Sequence, residues 1–236
     1  MIGLINKEVD WKEVIKKLAP TVASRIDQTM LKFDRSIKDY ERFVEESEKY
    51  GFRSLVVPPS VLEYVVSIAK TPVATVIGFP HGYTLLNVKL KEIEEAAKLG
   101  AKEVDVVINN IYTKERRYDL IRKEVSSMTK RAHELGLLIK VIVETSVLSD
   151  EELINIARIV KEEGADFIKT NTGFGPRGVT PRDIIIIRSA VGKELRIKAS
   201  GGIRTAVDAA LLLCIGADVI GTSRGIEIVE QFRKYR

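Results

Sequence analysis

"LLIKVIVETSVLSDEELINIARIVKEEGADFIKT", residues 137–170, reads as one strand–helix–strand unit. Its opening run, "LLIKVIVE", is branched and nearly all apolar, the pattern of a strand covered on both faces rather than on one. Ser149, followed three residues on by Glu152, predicts a capping box at the start of "SDEELINIARIVKEEG". Gly164 closes that helix, at a position where a left-handed residue is preferred. The chain then re-enters a short apolar run, "DFIKT". Strands joined through a helix run parallel, so this segment predicts a parallel sheet flanked by helices.

Working outward, the same unit recurs. Short apolar runs stand at "VASRID", "RSLVV", "VATVIGF", "EVDVVI", "RIKAS" and "DVIG". Between them lie segments of helical period such as "SIKDYERFVEESEKYG", "NVKLKEIEEAAKLG", "TKERRYDLIRKEVSSMTKRAHELG" and "TAVDAALLLCIG", with Gly51, Gly100 and Gly136 as further end caps. Eight units in 236 residues match a closed (β/α)8 TIM barrel. An open doubly wound sheet would usually carry a glycine-rich first turn, and the first strand here leads instead into "DQTMLKFDRS". An amphipathic segment around Trp11 to Leu18 predicts an extra N-terminal helix within residues 1–20, with the barrel over 21–236. No linker or low-complexity tract divides the chain, so one domain over 1–236 is expected.

Composition narrows the function. With 45% hydrophobic residues the chain can bury a full core, and it has neither a signal-like start nor an apolar run approaching the roughly 20 residues of a membrane span. A single cysteine, Cys214, excludes an internal disulfide, and its setting "AALLLCIGA" predicts a buried helical thiol. A cytoplasmic protein without a membrane partner is expected. The net charge of +5 is spread through segments such as "KLKEIEEAAK" and "KERRYDLIRKEV", which read as solvated helix faces. That distribution argues against nucleic acid and suits a small anionic substrate. Two histidines provide neither zinc-ligand spacing nor a Ser-His-Asp set, and "GFGPRG" lacks the context of a dinucleotide fingerprint.

Barrel chemistry gathers at the carboxyl ends of the strands. Those ends carry Asp27, Asp105, Glu144, Lys169 and Lys198, then the glycines of "SGGIRT" and "GTSRG". Lys169 and Lys198 follow apolar residues on the sixth and seventh strands, neighbours in a barrel. A lone strand lysine would snorkel or pair with a carboxylate. Two side by side, buried, lower each other's pKa and leave a free amine able to attack a carbonyl as a Schiff base. Lys140, at even spacing from Glu144 on strand five, fits an internal ion pair with it at least as well as a direct role. The loops after strands seven and eight present small residues whose backbone N–H groups can hold a phosphate. A Schiff-base aldolase or an isomerase acting on a phosphosugar fits this pattern, whereas a phosphosugar-binding protein without catalysis would gain nothing from a desolvated amine.

The residues also resemble a family, deoxyribose-phosphate aldolase, a class I aldolase with a (β/α)8 fold. The likeness runs through "RIDQTML", "GFPHG", "EVDVVIN", "IKVIVET", "DFIKTNTGFG", "IKASGGIRT" and "IGTSRG", covering nearly the whole chain. It implies cleavage of a small phosphorylated sugar with release of acetaldehyde, no cofactor or metal, and a homo-oligomer. By the same resemblance Lys169 is the Schiff-base lysine, Lys198 the second lysine that depresses its pKa, and Asp105 the acid that moves protons with Lys198. Gly173, Gly201, Gly202, Gly221 and Ser223 match phosphate-holding positions. Asp27 and Thr29 match a polar pair near the substrate, and Thr170 belongs to the pocket that "TNTGFG" opens. The chain departs from the family pattern at Gln28, where many members have His, at Val56, where many have Cys, and at Arg177, in a loop that is often glycine-rich.

Overall fold

In the computed structural model, which describes residues 10–234, eight strands close into a parallel barrel in sequence order. They are β1 Ile26–Thr29, β2 Ser54–Val57, β3 Val73–Ile77, β4 Glu103–Val107, β5 Leu138–Ile142, β6 Phe167–Lys169, β7 Arg196–Ser200 and β8 Val219–Thr222. The helices are α1 Trp11–Leu18, α2 Ile37–Ser47, α3 Leu62–Ile68, α4 Leu86–Lys98, α5 Asn110–Lys114, α6 Tyr118–Glu134, α7 Asp150–Glu162, α8 Pro181–Val191, α9 Ala206–Cys214 and α10 Gly225–Arg233. This is the (β/α)8 barrel with a helix before it that the sequence predicts. The part of the expected opening helix over residues 1–9 lies outside the described residues.

Local chemistry explains the boundaries. Ser149 and Glu152 form the reciprocal capping box that starts α7, and Ser36, Thr180 and Thr205 do the same with Asp39, Asp183 and Asp208. Gly51, Gly100, Gly136 and Gly164 all have left-handed backbone, as their helix-ending positions require. The long segment "TKERRYDLIRKEVSSMTKRAHELG" is not one helix: Arg116 has φ 54°, and the turn there separates α5 from α6.

Alternate strand residues serve two different interiors. Leu55, Val57, Val104, Val106, Ile139 and Val141 point outward and join the helices in one large core. Val56, Ala74 and Val76 form a separate small cluster with Leu31 and Phe79, on the inner side of β2 and β3. The rest of the barrel interior holds the charged side chains of the site together with the Phe167 ring.

Two sequence expectations need correction. Cys214 is exposed: as the last residue of α9 it faces out while Ala209, Ala210, Leu212 and Leu213 take the buried side. Helix α1 packs over α9 and α10, so both apolar segments find partners within the chain. The segments read as solvated faces also hide a buried pair, Lys89 on α4 and Glu124 on α6, 2.7 Å apart. The Lys89 ammonium also donates to the carbonyls of Gly82 and Val107, while the second oxygen of Glu124 accepts from the Asn109 amide at 2.9 Å. The pair ties the loop after β3 to the end of β4, work that charge spacing along a helix does not reveal.

Candidate active site

Parallel pairing sets the geometry. Register places Lys169 beside Lys198 on β6 and β7, and Asp105 beside Lys140 on β4 and β5. All four side chains point into the barrel and all are buried. Lys169 Nζ and Lys198 Nζ each donate to Asp105 Oδ2 at 2.8 Å. Lys140 Nζ donates to the other oxygen, Oδ1, also at 2.8 Å. One carboxylate therefore accepts from three lysine side chains.

Below this triad the network continues. Lys198 stands 2.6 Å from Asp27 Oδ2, Lys140 stands 2.5 Å from Glu103 Oε2, and Arg53 bridges Asp27 and Glu103 at 2.8 and 2.6 Å. Arg53 and Arg196 lie over the Phe167 ring, 5.1 and 3.9 Å from its centroid, and form the floor.

Environment decides the protonation states. Burial pushes the Lys169 amine down, and the nearby Lys198 and Lys140 push the same way; Asp105 opposes them only in part, leaving a pKa of about 8. The Asp105 carboxyl would be raised by burial, but Lys140, Lys169 and Lys198 outweigh that and hold it well below the usual range. Lys140 shows the converse: burial lowers it, yet Asp105, Asp27 and Glu103 keep it above an ordinary lysine. Of these lysines only Lys169 lines the open cleft.

That cleft, about 1060 Å3, lies over the carboxyl ends of the strands. Lys169, Thr29, Gly173, Gly201, Gly202, Gly221 and Ser223 all line it, together with Phe174, Thr172 and Ser200. Gly173, Gly201 and Gly202 take left-handed backbone, at φ 88°, 94° and 77°. A side chain on Gly221 would come within 2.8 Å of Lys198 Cε and 3.0 Å of Ser200 Cβ, so it would displace the lysine from its place.

Several predicted residues sit differently than expected. Thr170 is fully buried, with its hydroxyl donating to Ser200 O and accepting from Ser200 N, so it stitches β6 to β7 and Thr172 reaches the cleft instead. Asp27 is fully buried beneath Lys198, without a place on the cleft wall. Lys140 does not pair with Glu144. Even spacing holds only in extended backbone, and Glu144, beyond the end of β5, is left-handed at φ 56°. Its carboxylate accepts from the Asn171 side chain at 2.8 Å and from the Thr172 amide and hydroxyl at 2.9 and 2.6 Å. The loop after Lys169 is thereby fixed.

The departures noted in sequence find local partners. Arg177 donates to Asp183, to Thr145 O and to Gly178 O, clamping the β6–α8 loop. Gln28 accepts from the Gly225 amide at 2.9 Å and anchors the start of α10. Val56 belongs to the apolar inner wall with Val76 and Phe79. Sequence reasoning missed Arg53 and Glu103 altogether. Their only signal was a charged residue at the entrance of an otherwise apolar strand run.

A barrel of this geometry, with a low-pKa lysine facing a cleft and a shared carboxylate behind it, can run amine-based carbonyl chemistry. A family model for the DeoC/LacD family aldolases matches residues 21–231. The chain belongs to the DeoC/LacD aldolase family. It is an aldolase, and so a lyase. A deoxyribose-phosphate aldolase of Thermoanaerobacter sp. (strain X514) is 41% identical over 219 residues, covering 91% of this chain and 98% of that one. The solved aldolase QR15 is 42% identical with a TM-score of 0.87, covering 90% of this chain and 96% of its own. The tetrameric deoxyribose phosphate aldolase from Aeropyrum pernix is 32% identical, with a TM-score of 0.86 over 97% of this chain and all of that one.

Proposed function

We propose that this aldolase cleaves 2-deoxy-D-ribose 5-phosphate reversibly into D-glyceraldehyde 3-phosphate and acetaldehyde, with Lys169 as the Schiff-base nucleophile. The observation that carries the reading is Lys169 itself, a buried amine with a pKa of about 8 that lines a cleft together with the glycine turns at Gly173, Gly201 and Gly202. The substrate is supported by relatives of that name at about 40% identity over most of the chain.

The neutral Lys169 amine adds to the C1 aldehyde of the open sugar, and water leaves to give an iminium. The C3 hydroxyl then loses its proton and the C2–C3 bonding pair moves into the iminium, giving an enamine and free glyceraldehyde phosphate. Protonation of the enamine at C2 and addition of water return the lysine and release acetaldehyde. Asp105, in contact with both Lys169 and Lys198, moves the protons, an effect worth about 10²–10⁴-fold for general acid–base groups. The glycine turns at Gly173, Gly201, Gly202 and Gly221, with Ser223, hold the phosphate on backbone N–H groups. The proposal extends to a cytoplasmic homo-oligomer acting in deoxyribonucleotide breakdown: the tetrameric Aeropyrum pernix protein supports the assembly, and a lone free cysteine suits a reducing compartment.

Acetaldehyde with borohydride should leave an ethyl group on Lys169, located by peptide mass spectrometry. A label on another lysine, or none, sinks the assignment. Screening acetaldehyde, dihydroxyacetone and pyruvate as donors tests the substrate separately, and acetaldehyde should be preferred.

A further inference from the structure

Lys140 takes no part in the covalent steps, yet it is fully buried at the centre of the charged interior. The network can be read as a balance of charge. Among the described residues, four cationic side chains, Arg53, Lys140, Lys169 and Lys198, face three carboxylates, Asp27, Glu103 and Asp105, through contacts of 3.8 Å or less. Strands β3 and β8 add no charge to it, and Arg196 is set apart behind the Phe167 ring, where it faces Asp166. A buried cluster disfavours net charge, so one of the four cations is expected to give up its proton. Arginine does not release one under ordinary conditions. Lys140 contacts three carboxylates and Lys198 two, whereas Lys169 contacts one, which it shares.

We infer that Lys140 is a positioning residue that completes the charge balance of the barrel interior, so that Lys169 is the amine left neutral. It acts in two ways. It occupies Asp105 Oδ1, confining Lys169 and Lys198 to the single oxygen Oδ2. It also answers Glu103 and Asp27, which would otherwise leave the interior short of positive charge. Without Lys140 the three carboxylates face three cations only when Lys169 keeps its proton. This inference rests on the Schiff-base reading of Lys169 and adds the reason that the amine is free.

The test is the pH dependence of kcat/KM in the full chain, whose acid limb in the unaltered protein should report Lys169 near pH 8. In Lys140→Met that midpoint should rise by at least about one unit, with about a tenfold rate loss at neutral pH for each unit. The high-pH plateau should be largely kept, and acetaldehyde with borohydride should still label Lys169 there. Adding Glu103→Gln to Lys140→Met restores the balance and should bring the midpoint back down. Glu103→Gln alone, which leaves cations in excess, should lower the midpoint and serves as the independent test where Lys140→Met does not fold. An unshifted acid limb in Lys140→Met, an equal loss at every pH, or a midpoint in Glu103→Gln that does not fall overturns the inference. Failure of the unaltered protein to label at Lys169 would instead refute the Schiff-base reading itself.

Discussion

Two buried lysines in this barrel meet similar burial and come to different ends. Lys89 has three acceptors: Glu124 and the carbonyls of Gly82 and Val107. An ammonium has three N–H donors, so all are taken. Lys169 has a single acceptor, Asp105 Oδ2, which Lys198 also uses, and the rest of its surroundings open on the cleft. Burial lowers both amines, and in both a carboxylate opposes it. The difference lies in what the nitrogen can still do. Lys89 is enclosed by fixed partners and holds a loop, whereas Lys169, with a pKa of about 8, lines the cleft where the proposed reaction needs a free amine. Burial makes a lysine unusual, and incomplete satisfaction makes it reactive.

Substitutions can break that contrast. Lys169→Arg keeps the positive charge and removes the nucleophile, so turnover should fall at least about 10³-fold, as loss of a covalent nucleophile does. Steady-state assay of the purified variant checks this, and substantial residual activity would make Lys169 a second structural lysine. Lys89→Met should do the reverse. It strands Glu124 in the interior, costing about 3–5 kcal/mol of stability by denaturant titration, and Lys89→Met with Glu124→Leu should recover much of it. A Lys89→Met protein of unchanged stability would remove the structural half of the comparison.

A smaller effect of Lys169 appears in the pH dependence of stability. The folded pKa of Lys169, about 8, lies below its ordinary value of 10.5, so the unfolded chain binds more protons between those limits. Stability from this group therefore rises as pH climbs from about 8 to 10.5, by about 3 kcal/mol. The stability difference between the unaltered protein and Lys169→Met should change by that amount across the window, and a constant difference refutes it. At the lower extreme, Cys214→Ser should change stability by no more than about 0.5 kcal/mol, because the side chain is exposed. A larger loss would mean that the thiol packs against something.

Much of the site was legible before folding. Lys169, Lys198 and Asp105 announce themselves as charges at strand ends in apolar runs, and the barrel's parallel order makes β6 and β7 neighbours without further information. The family resemblance puts Asp27 near the substrate and the stretch after Lys169 puts Thr170 in the pocket, but which way a strand residue faces and what claims its hydroxyl depend on the next strand. Thr170 is taken by Ser200, thirty positions on. Lys89 and Glu124 were misread because a helical charge pattern records which residues share a face and carries nothing about what another helix lays against it.

Period, caps and apolar runs, all local properties of the chain, determined the eight-fold alternation, the closed barrel and the two lysines of the site. The tertiary structure alone decided how the charges pair. Arg53, Asp27, Glu103 and Lys140 come from four separate stretches and meet only when the barrel closes. The free energy of a buried charge depends on every neighbour within a few ångströms. That sum is set by closure, and in the proposed reading it leaves Lys169 as the reactive amine.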